Sequence, residues 1–126
     1  MTTKQNNLLA RMRDICSRAI CHYGQEAQRL IAIEEMSELT KALCKVSRDQ
    51  SSRDKIADEV ADVYICLSQI ELMFKLGSTV PERMAFKLGR LEQRMDAEYD
   101  ADDAYYWADL VMKRGYLTAE KEDGTE

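Results

Sequence analysis

Apolar residues recur every three or four positions along most of this chain, a spacing that predicts α-helices. Gly24, the polar segment 47–55 and Gly77 interrupt the pattern, and glycine favours the end of a helix. No useful stretch alternates apolar and polar residues as a half-buried strand would. We therefore predict an all-α, four-helix bundle-like fold, with helices at about 4–22, 25–47, 53–75 (capped by Ser51 or Ser52) and 79–96.

The C-terminal part of the chain has a different composition. Residues 97–126 carry nine acidic and three basic side chains, a net charge of −6, so residues 1–96 sum to +1 against a total of −5. We predict a helical core over 1–96, a helical extension over 97–116 that includes Trp107, and a disordered acidic tail over 117–126. Nothing resembles a basic stripe, so binding to a nucleic-acid duplex is not expected.

Composition also bounds the cellular setting. The 126 residues make about one domain, and the four cysteines lack CxxC spacing, which is typical of reduced thiols. No apolar run reaches the length of a membrane span, and the N-terminus lacks the pattern of a signal peptide. We expect a cytoplasmic protein without a membrane partner.

Two segments place carboxylates on apolar helix faces: IAIEEMSELTKAL (31–43) and IADEVADVYICL (56–67). At about 100° per residue, Glu35 projects into the apolar stripe of the second helix and Glu38 lies at its edge, whereas Glu34 points away. On the third helix Glu59 lies within the stripe and Asp62 at its border. Each helix thus carries an inward pair of carboxylates one turn apart.

Burying four carboxylates together is costly unless positive charge is present. Oxygen ligands without histidine or thiolate suit Mg²⁺ or Mn²⁺. A di-iron bundle would need Glu-x-x-His motifs, and the single histidine, His22, is not so placed. The alternative is that both pairs lie on solvated faces, as most isolated ExxE patterns in helical proteins do.

The order of these residues resembles a known family. Glu34-Glu35-x-x-Glu38, twenty further residues and Glu59-x-x-Asp62 look like the EExxE…ExxD pattern of the MazG-like, all-α nucleoside triphosphate pyrophosphohydrolases. The similarity includes the preceding YGQEAQRLIAIEE and the later helix FKLGRLEQRM, and together it covers about residues 20–95.

This resemblance implies an enzyme that hydrolyses a nucleoside triphosphate to the monophosphate and pyrophosphate, by attack of water at the α-phosphorus. It implies a homodimer or homotetramer and a role in maintaining the nucleotide pool. Mg²⁺, or Mn²⁺ in its place, would be bound by Glu35, Glu38, Glu59 and Asp62. Glu34 matches the first glutamate of the motif and would act as a general base or orient the ligands, so Glu34 and Glu38 are the candidate catalytic residues.

Four other residues are candidates for substrate binding. Lys87, Arg90 and Arg94 lie near one face of the fourth predicted helix, where cations would contact phosphate oxygens. Gln28 lies seven residues before Glu35 on the same stripe and would bind a base, a ribose or a water. The alternatives are solvated charges for the three cations and packing at a helix end for Gln28.

Two functions of other classes remain open. The chain would be a non-enzymatic helical interaction module if the carboxylates are surface charge. It would be a metal-binding bundle if they hold a structural or redox ion. Metal-dependent thermal stabilisation separates the first of these from the enzyme, and metal analysis separates the second.

Overall fold

The computed structural model describes residues 2–48, 52–98, 108–109 and 111–113, and these residues are helical apart from caps and short turns. No strand occurs among them, which confirms the predicted all-α class. Of the predicted helical extension over 97–116, the structure describes residues 97–98, 108–109 and 111–113, which are helical; Trp107 and the predicted tail over 117–126 lie outside the described residues. The four long helices are α1 (Thr3–Tyr23), α2 (Gln25–Val46), α3 (Arg53–Phe74) and α4 (Thr79–Glu98).

The chain divides into two compact units, Met1–Pro81 and Glu82–Glu126. In the first unit α1, α2 and α3 pack on one another in the manner of a bundle, and the contact between α2 and α3 is the most extensive. The second unit contains most of α4, whose residues from Glu82 to Glu98 are exposed. No helix in the described part of the chain combines the length and apolarity that a membrane crossing requires.

Side-chain caps fix the starts of α1 and α3. Thr2 and Gln5 form a reciprocal capping box at the start of α1. At α3 the hydroxyl oxygen of Ser52 accepts a hydrogen bond from the backbone N–H of Lys55 at 3.1 Å. Of the two serines predicted to cap this helix, Ser52 therefore does so.

Two residues with positive φ end α1 and α3. Gly24 (φ 92°) separates α1 from α2, as predicted, and its N–H donates to the carbonyl of Ile20 at 2.9 Å. The prediction that Gly77 ends the third helix was wrong, because Lys75 itself adopts the left-handed conformation (φ 54°). The N–H groups of Lys75 and Leu76 both donate to the carbonyl of Glu71, which closes the helix two residues before the glycine.

The buried apolar side chains of the described residues are all small: Cys16, Ala32, Ala42 and Cys66. The Cys16 thiol donates to the backbone carbonyl of Ile65 at 3.7 Å, a contact that brings α1 against the α3 backbone. Small side chains at a helix interface allow close approach of the two helix axes. The three helices therefore pack through small residues, while many longer apolar side chains remain on the surface.

An apolar groove of about 470 Å³ lies between α1 and α3. Its walls include Leu8, Met12, Ile15, Tyr64 and Ile65. Leu8 and Tyr64 are 63% and 65% exposed, which is unusual for large side chains that share one concave surface. This face of the first unit is therefore an exposed and largely apolar groove.

Candidate functional site

Three carboxylates from α2 and α3 meet in the first unit. Glu35, Glu59 and Asp62 each present an oxygen atom, and these three atoms lie within 4.8 Å of one another. Glu59 is buried, Glu35 is half-buried and Asp62 is exposed. The structure therefore brings together three of the four predicted metal ligands at a point that opens to solvent.

The short connection between α2 and α3 makes them antiparallel neighbours. On α3, Glu59 and Asp62 are three residues apart and lie about one turn apart on one face. On α2, Glu35 lies on the same side as buried Ala32, which faces the neighbouring helices. The i, i+3 pair of α3 thus meets a single glutamate of α2, whereas the helical pattern predicted a pair on each helix.

The pKa of Glu35 is affected by its position in this cluster. Burial raises the pKa of its carboxyl group above the ordinary value, and the nearby charges of Asp62 and Glu59 raise it further. Glu34 and Glu38 add smaller effects in the same direction. A carboxylate held in this way gains from any cation that enters the cluster, because the cation favours the ionised form.

Lys55 supplies positive charge at the edge of the cluster. Its Nζ lies 2.6 Å from Oε1 of Glu59, one turn further along α3, and its side chain is 58% exposed while that of Glu59 is 7% exposed. The hydrogen bond to Glu59 and the charge of Glu59 raise the pKa of Lys55, and Glu38 contributes in the same direction. The buried carboxylate is thus partnered by an ammonium group that remains free to move into solvent.

Glu38, the fourth predicted ligand, lies outside the group of three. Its Oε1 accepts a hydrogen bond from Nζ of Lys41 at 3.0 Å, and its side chain is 41% exposed. This hydrogen bond is the main reason that the pKa of Glu38 is lowered, and the charge of Lys41 adds to it. Glu38 is therefore an ionised carboxylate one turn from Glu35, and it would have to exchange Lys41 for a metal ion in order to serve as a ligand.

The remaining acidic residues of the two segments are exposed. Glu34 and Asp58 each precede a member of the cluster, yet both lie on solvated helix surfaces. Glu34 is close enough to raise the pKa of Glu35. Glu34 thus points away from the cluster, as its helical angle predicted, and its carboxylate is accessible to water.

The donor set fits a hard divalent cation. Octahedral Mg²⁺ binds oxygen at 2.0–2.1 Å, so two ligands on opposite sides of it are about 4.2 Å apart. Of three ligands at least two pairs are adjacent, with oxygens about 3 Å apart, so atoms within 4.8 Å of one another need to close by up to about 2 Å, a movement within the reach of side-chain rotation. The thiol of Cys66 is buried, and burial is the main cause that raises its pKa. Oxygen is therefore the available donor, which suits Mg²⁺ or Mn²⁺.

Gln28 lies where the apolar stripe predicted it, within the first unit. Its side chain is 3% exposed, and its Nε2 has no hydrogen-bond partner among the described residues. Gln69 on α3 is also buried: its side chain is 7% exposed, and its Oε1 has no hydrogen-bond partner among the described residues. A donor and an acceptor are thus buried without partners on the two helices that carry the carboxylates.

The three predicted phosphate-binding cations belong to the second unit. Lys87, Arg90 and Arg94 are exposed on α4, and the guanidinium carbon of Arg90 lies 5.9 Å from the centre of the Phe86 ring. This distance places Arg90 over the ring in a cation–π contact. Their exposure leaves all three side chains available to an anion or to water.

Comparisons with protein-family models, with curated proteins and with solved structures found no match for this chain. The resemblance to the MazG-like pyrophosphohydrolases therefore depends on the residues themselves.

Sequence reasoning missed two residues of this region, Lys55 and Gln69. Lys55 precedes Glu59 by four positions, a spacing at which side chains on a helix are neighbours. The ion pair between these two residues could therefore have been predicted from the sequence. Gln69 follows Asp62 by seven positions, just as Gln28 precedes Glu35 by seven. A search for polar residues that repeat this spacing on both helices would have found it.

Proposed function

We propose that this protein is a Mg²⁺-dependent hydrolase of the MazG-like type, which converts nucleoside triphosphates to the monophosphate and pyrophosphate. The observation that carries the proposal is the convergence of Glu35, Glu59 and Asp62 on one point between α2 and α3. These residues match three of the four ligand positions that the resemblance implies, and Glu38 is the fourth. A role in nucleotide-pool maintenance in the cytoplasm is part of the same proposal.

Each carboxylate has a task in this reaction. Glu35, Glu59 and Asp62 would hold the divalent cation, and Glu38 would join them after releasing Lys41. When bound, the cation supplies a Lewis acid that neutralises the triphosphate and lowers the pKa of a water molecule. The exposed carboxylate of Glu34 would accept the proton of the attacking water as a general base.

Positive side chains would contact the phosphates. Lys55 already bonds Glu59 at 2.6 Å, and on arrival of a cation it would turn to the substrate, because its side chain is mostly in solvent. Lys87, Arg90 and Arg94 are proposed to bind phosphate oxygens, where arginine acts as a planar fork and lysine as a point charge. Gln28 is proposed to contact the nucleoside part of the substrate.

We also propose that the protein is a homodimer or homotetramer. The groove between α1 and α3 exposes large apolar side chains such as Leu8 and Tyr64, whereas the buried apolar side chains are small. Association of a second copy would cover this face and supply the large apolar contacts that α1–α3 lack. Sedimentation equilibrium tests this directly: a mass of 14.5 kDa at all concentrations would contradict it.

The experiment that tests the reaction is product analysis with the eight common ribo- and deoxyribonucleoside triphosphates in Mg²⁺. We expect monophosphate and pyrophosphate from at least one nucleotide, resolved by ion-exchange chromatography, and no product from Glu59→Gln. If the products are instead the diphosphate and phosphate, the protein is still a nucleotide hydrolase, but attack at the α-phosphorus is refuted. Absence of any product, together with tightly retained iron or manganese, would favour a metal-binding bundle, and absence of both product and metal binding an interaction module.

A further inference from the structure

Two lysines bond carboxylates of the candidate metal site, one on each of its helices. Nζ of Lys41 lies 3.0 Å from Oε1 of Glu38 on α2, and Nζ of Lys55 lies 2.6 Å from Oε1 of Glu59 on α3. The two lysine side chains are 62% and 58% exposed. A solvated lysine gives up such an ion pair at little cost when its carboxylate gains another cation, so both ammonium groups are available to an anion.

Both lysines lie on the side of their carboxylates that is nearer the α2–α3 connection. Because α2 runs towards this connection, Lys41 follows Glu38 there by three residues. Because α3 runs away from it, Lys55 precedes Glu59 by four residues. With a rise of about 1.5 Å per residue, the lysines are displaced from their carboxylates by about 4.5 and 6 Å along the helix axes. The antiparallel helices therefore bring one ammonium group each to the same side of the carboxylates.

Lys45 extends this positive surface by one more turn of α2. It lies seven residues after Glu38, on the same face of the helix as Glu38 and Lys41, and its side chain is exposed. The pKa of Glu38 is lowered first by the hydrogen bond from Lys41, and the charges of Lys55 and Lys45 lower it further. Lys41, Lys45 and Lys55 thus form a lysine rim beside the carboxylates.

The lysine rim lies in a basic segment of an acidic protein. Residues 41–55 carry five cationic and two acidic side chains, a net charge of +3, whereas the whole chain has a net charge of −5 and its remainder therefore −8. Concentrated positive charge attracts anions over about 8–10 Å at moderate salt. The adjacent carboxylate cluster attracts cations. A ligand that carries phosphates together with a divalent cation therefore matches both surfaces.

We propose that Lys41 and Lys45 bind the β- and γ-phosphates of the nucleoside triphosphate and then the pyrophosphate product, with Lys55 beside them. The inference rests on the proposed function and deepens it, because it fixes the direction of the phosphate chain. The α-phosphate lies at the carboxylates, and the chain runs from there towards the α2–α3 connection. The rim begins one turn from Glu38 and ends two turns from it, about 5–11 Å along the axis. Two further phosphates, met by extended lysine side chains, span this interval.

The lysine rim acts on the group that leaves. In the proposed reaction the oxygen of water bonds to the α-phosphorus, and the bond from that phosphorus to the bridging oxygen of the β-phosphate breaks. The electron pair of the broken bond leaves with the pyrophosphate, and Glu34 accepts the proton of the water. Because negative charge develops on the leaving group, ammonium groups that contact its oxygens stabilise the transition state more than the ground state. The monophosphate product has no phosphate that reaches the rim.

Calorimetry of the two products tests the assignment without turnover. Inorganic pyrophosphate and the four deoxynucleoside monophosphates are titrated separately into the full chain in saturating Mg²⁺, for wild type, Lys41→Gln, Lys45→Gln and the double variant. Glutamine keeps the helix propensity of lysine without its charge. We expect each single substitution to weaken pyrophosphate binding about fivefold and the double variant about twentyfold, while the tightest monophosphate stays within twofold of wild type.

Arg29→Gln is the matched control. Arg29 and Lys41 are exposed residues of α2 that lie six positions from Glu35 in opposite directions. The control therefore removes the same charge at the same axial distance, about 9 Å, on the side away from the connection. It should bind pyrophosphate within twofold of wild type. Equal weakening by Arg29→Gln and Lys41→Gln would show that these cations act only through a long-range field, and would overturn the lysine rim as a binding site.

The Mg²⁺-induced thermal shift separates failure of this inference from failure of the proposed function. The lysine variants should keep at least the wild-type shift, because they lose no candidate metal ligand. If they keep it but bind pyrophosphate as wild type does, the lysine rim is refuted and the metal site stands. Equal weakening of pyrophosphate and monophosphate in these variants would refute the rim as well. A wild type that shows no shift and binds neither product would overturn the proposed function and, with it, this inference.

Discussion

Glu59→Gln removes one charge from the carboxylate cluster at almost constant volume. Glu59 is the buried member, and it is the one whose oxygen atom is bonded to Lys55. The amide oxygen of glutamine can still accept that hydrogen bond, so the local structure should survive. The cluster, however, loses a charged ligand at its least exposed position, and we expect it to lose its affinity for divalent cations.

The size of the effect follows from linkage. A cation at one hundred times its dissociation constant stabilises the native state by about 2.7 kcal/mol. With the usual unfolding entropy of about 2.1 cal/mol/K per residue, that energy raises the melting temperature of a chain this size by about 10 °C. Wild type should show this shift in saturating Mg²⁺, and Glu59→Gln should show almost none.

Thermal unfolding followed by circular dichroism, at several Mg²⁺ concentrations, measures the shift. Asp58→Asn is the matched control, because it removes the adjacent carboxylate on the exposed side of the same helix. It should keep the wild-type response. An equal Mg²⁺-induced shift in Glu59→Gln and wild type would refute the assignment of the cluster as a metal site, and so would loss of the shift in Asp58→Asn.

Three further predictions concern charge, backbone and substrate. The raised pKa of Glu35 means that it binds a proton more readily in the folded state, so its contribution to stability without metal is present below the unfolded pKa of 4.5 and is lost as the pH rises through the folded pKa. Glu35→Gln should therefore gain stability over wild type as pH rises from 4.5 to 7, in urea unfolding without Mg²⁺; a constant difference would contradict this. Gly24→Ala should lower the free energy of unfolding by about 1–2 kcal/mol, because position 24 has a φ of 92°. Lys75→Gly should raise it by up to about 1 kcal/mol, because glycine adopts a positive φ without strain. Changes of the opposite sign in the same urea assay would show that these φ values do not persist in solution. Lys87→Ala should raise KM or lower kcat for the best nucleotide without changing the Mg²⁺-induced thermal shift. Unchanged kinetics would show that Lys87 is a solvated surface charge that does not contact the substrate.

The sequence predicted the helices well because their apolar spacing and caps are local signals. It also predicted which side of α2 and α3 Glu35, Glu59 and Asp62 would occupy, since helical angle depends only on position in the chain. It predicted the end of α3 to within one residue, but it assigned the helix-ending position to Gly77, whereas Lys75 adopts the unfavourable positive φ.

The partner of each carboxylate was harder to predict. Glu38 was grouped with the other ligands by its helical angle and by the family resemblance, but a lysine one turn along its own helix bonds its carboxylate. Whether a carboxylate bonds a lysine on its own helix or an ion between two helices depends on side-chain rotation. The periodicity of the sequence does not describe that rotation. The lack of partners for Gln28 and Gln69 likewise became visible only once α2 and α3 were packed together.

The small side chains between the helices have a consequence for the carboxylates. Ala32 lies one turn before Glu35 on α2, and Cys66 lies one turn after Asp62 on α3, so the volumes of these two residues set how far apart the facing carboxylates are held. Protein interiors are close-packed, and one added methylene displaces what surrounds it. Cation affinity in this protein should consequently depend on the helix separation. A larger residue at position 32, which itself offers no ligand atom, would weaken cation binding by widening the gap that the ion must bridge.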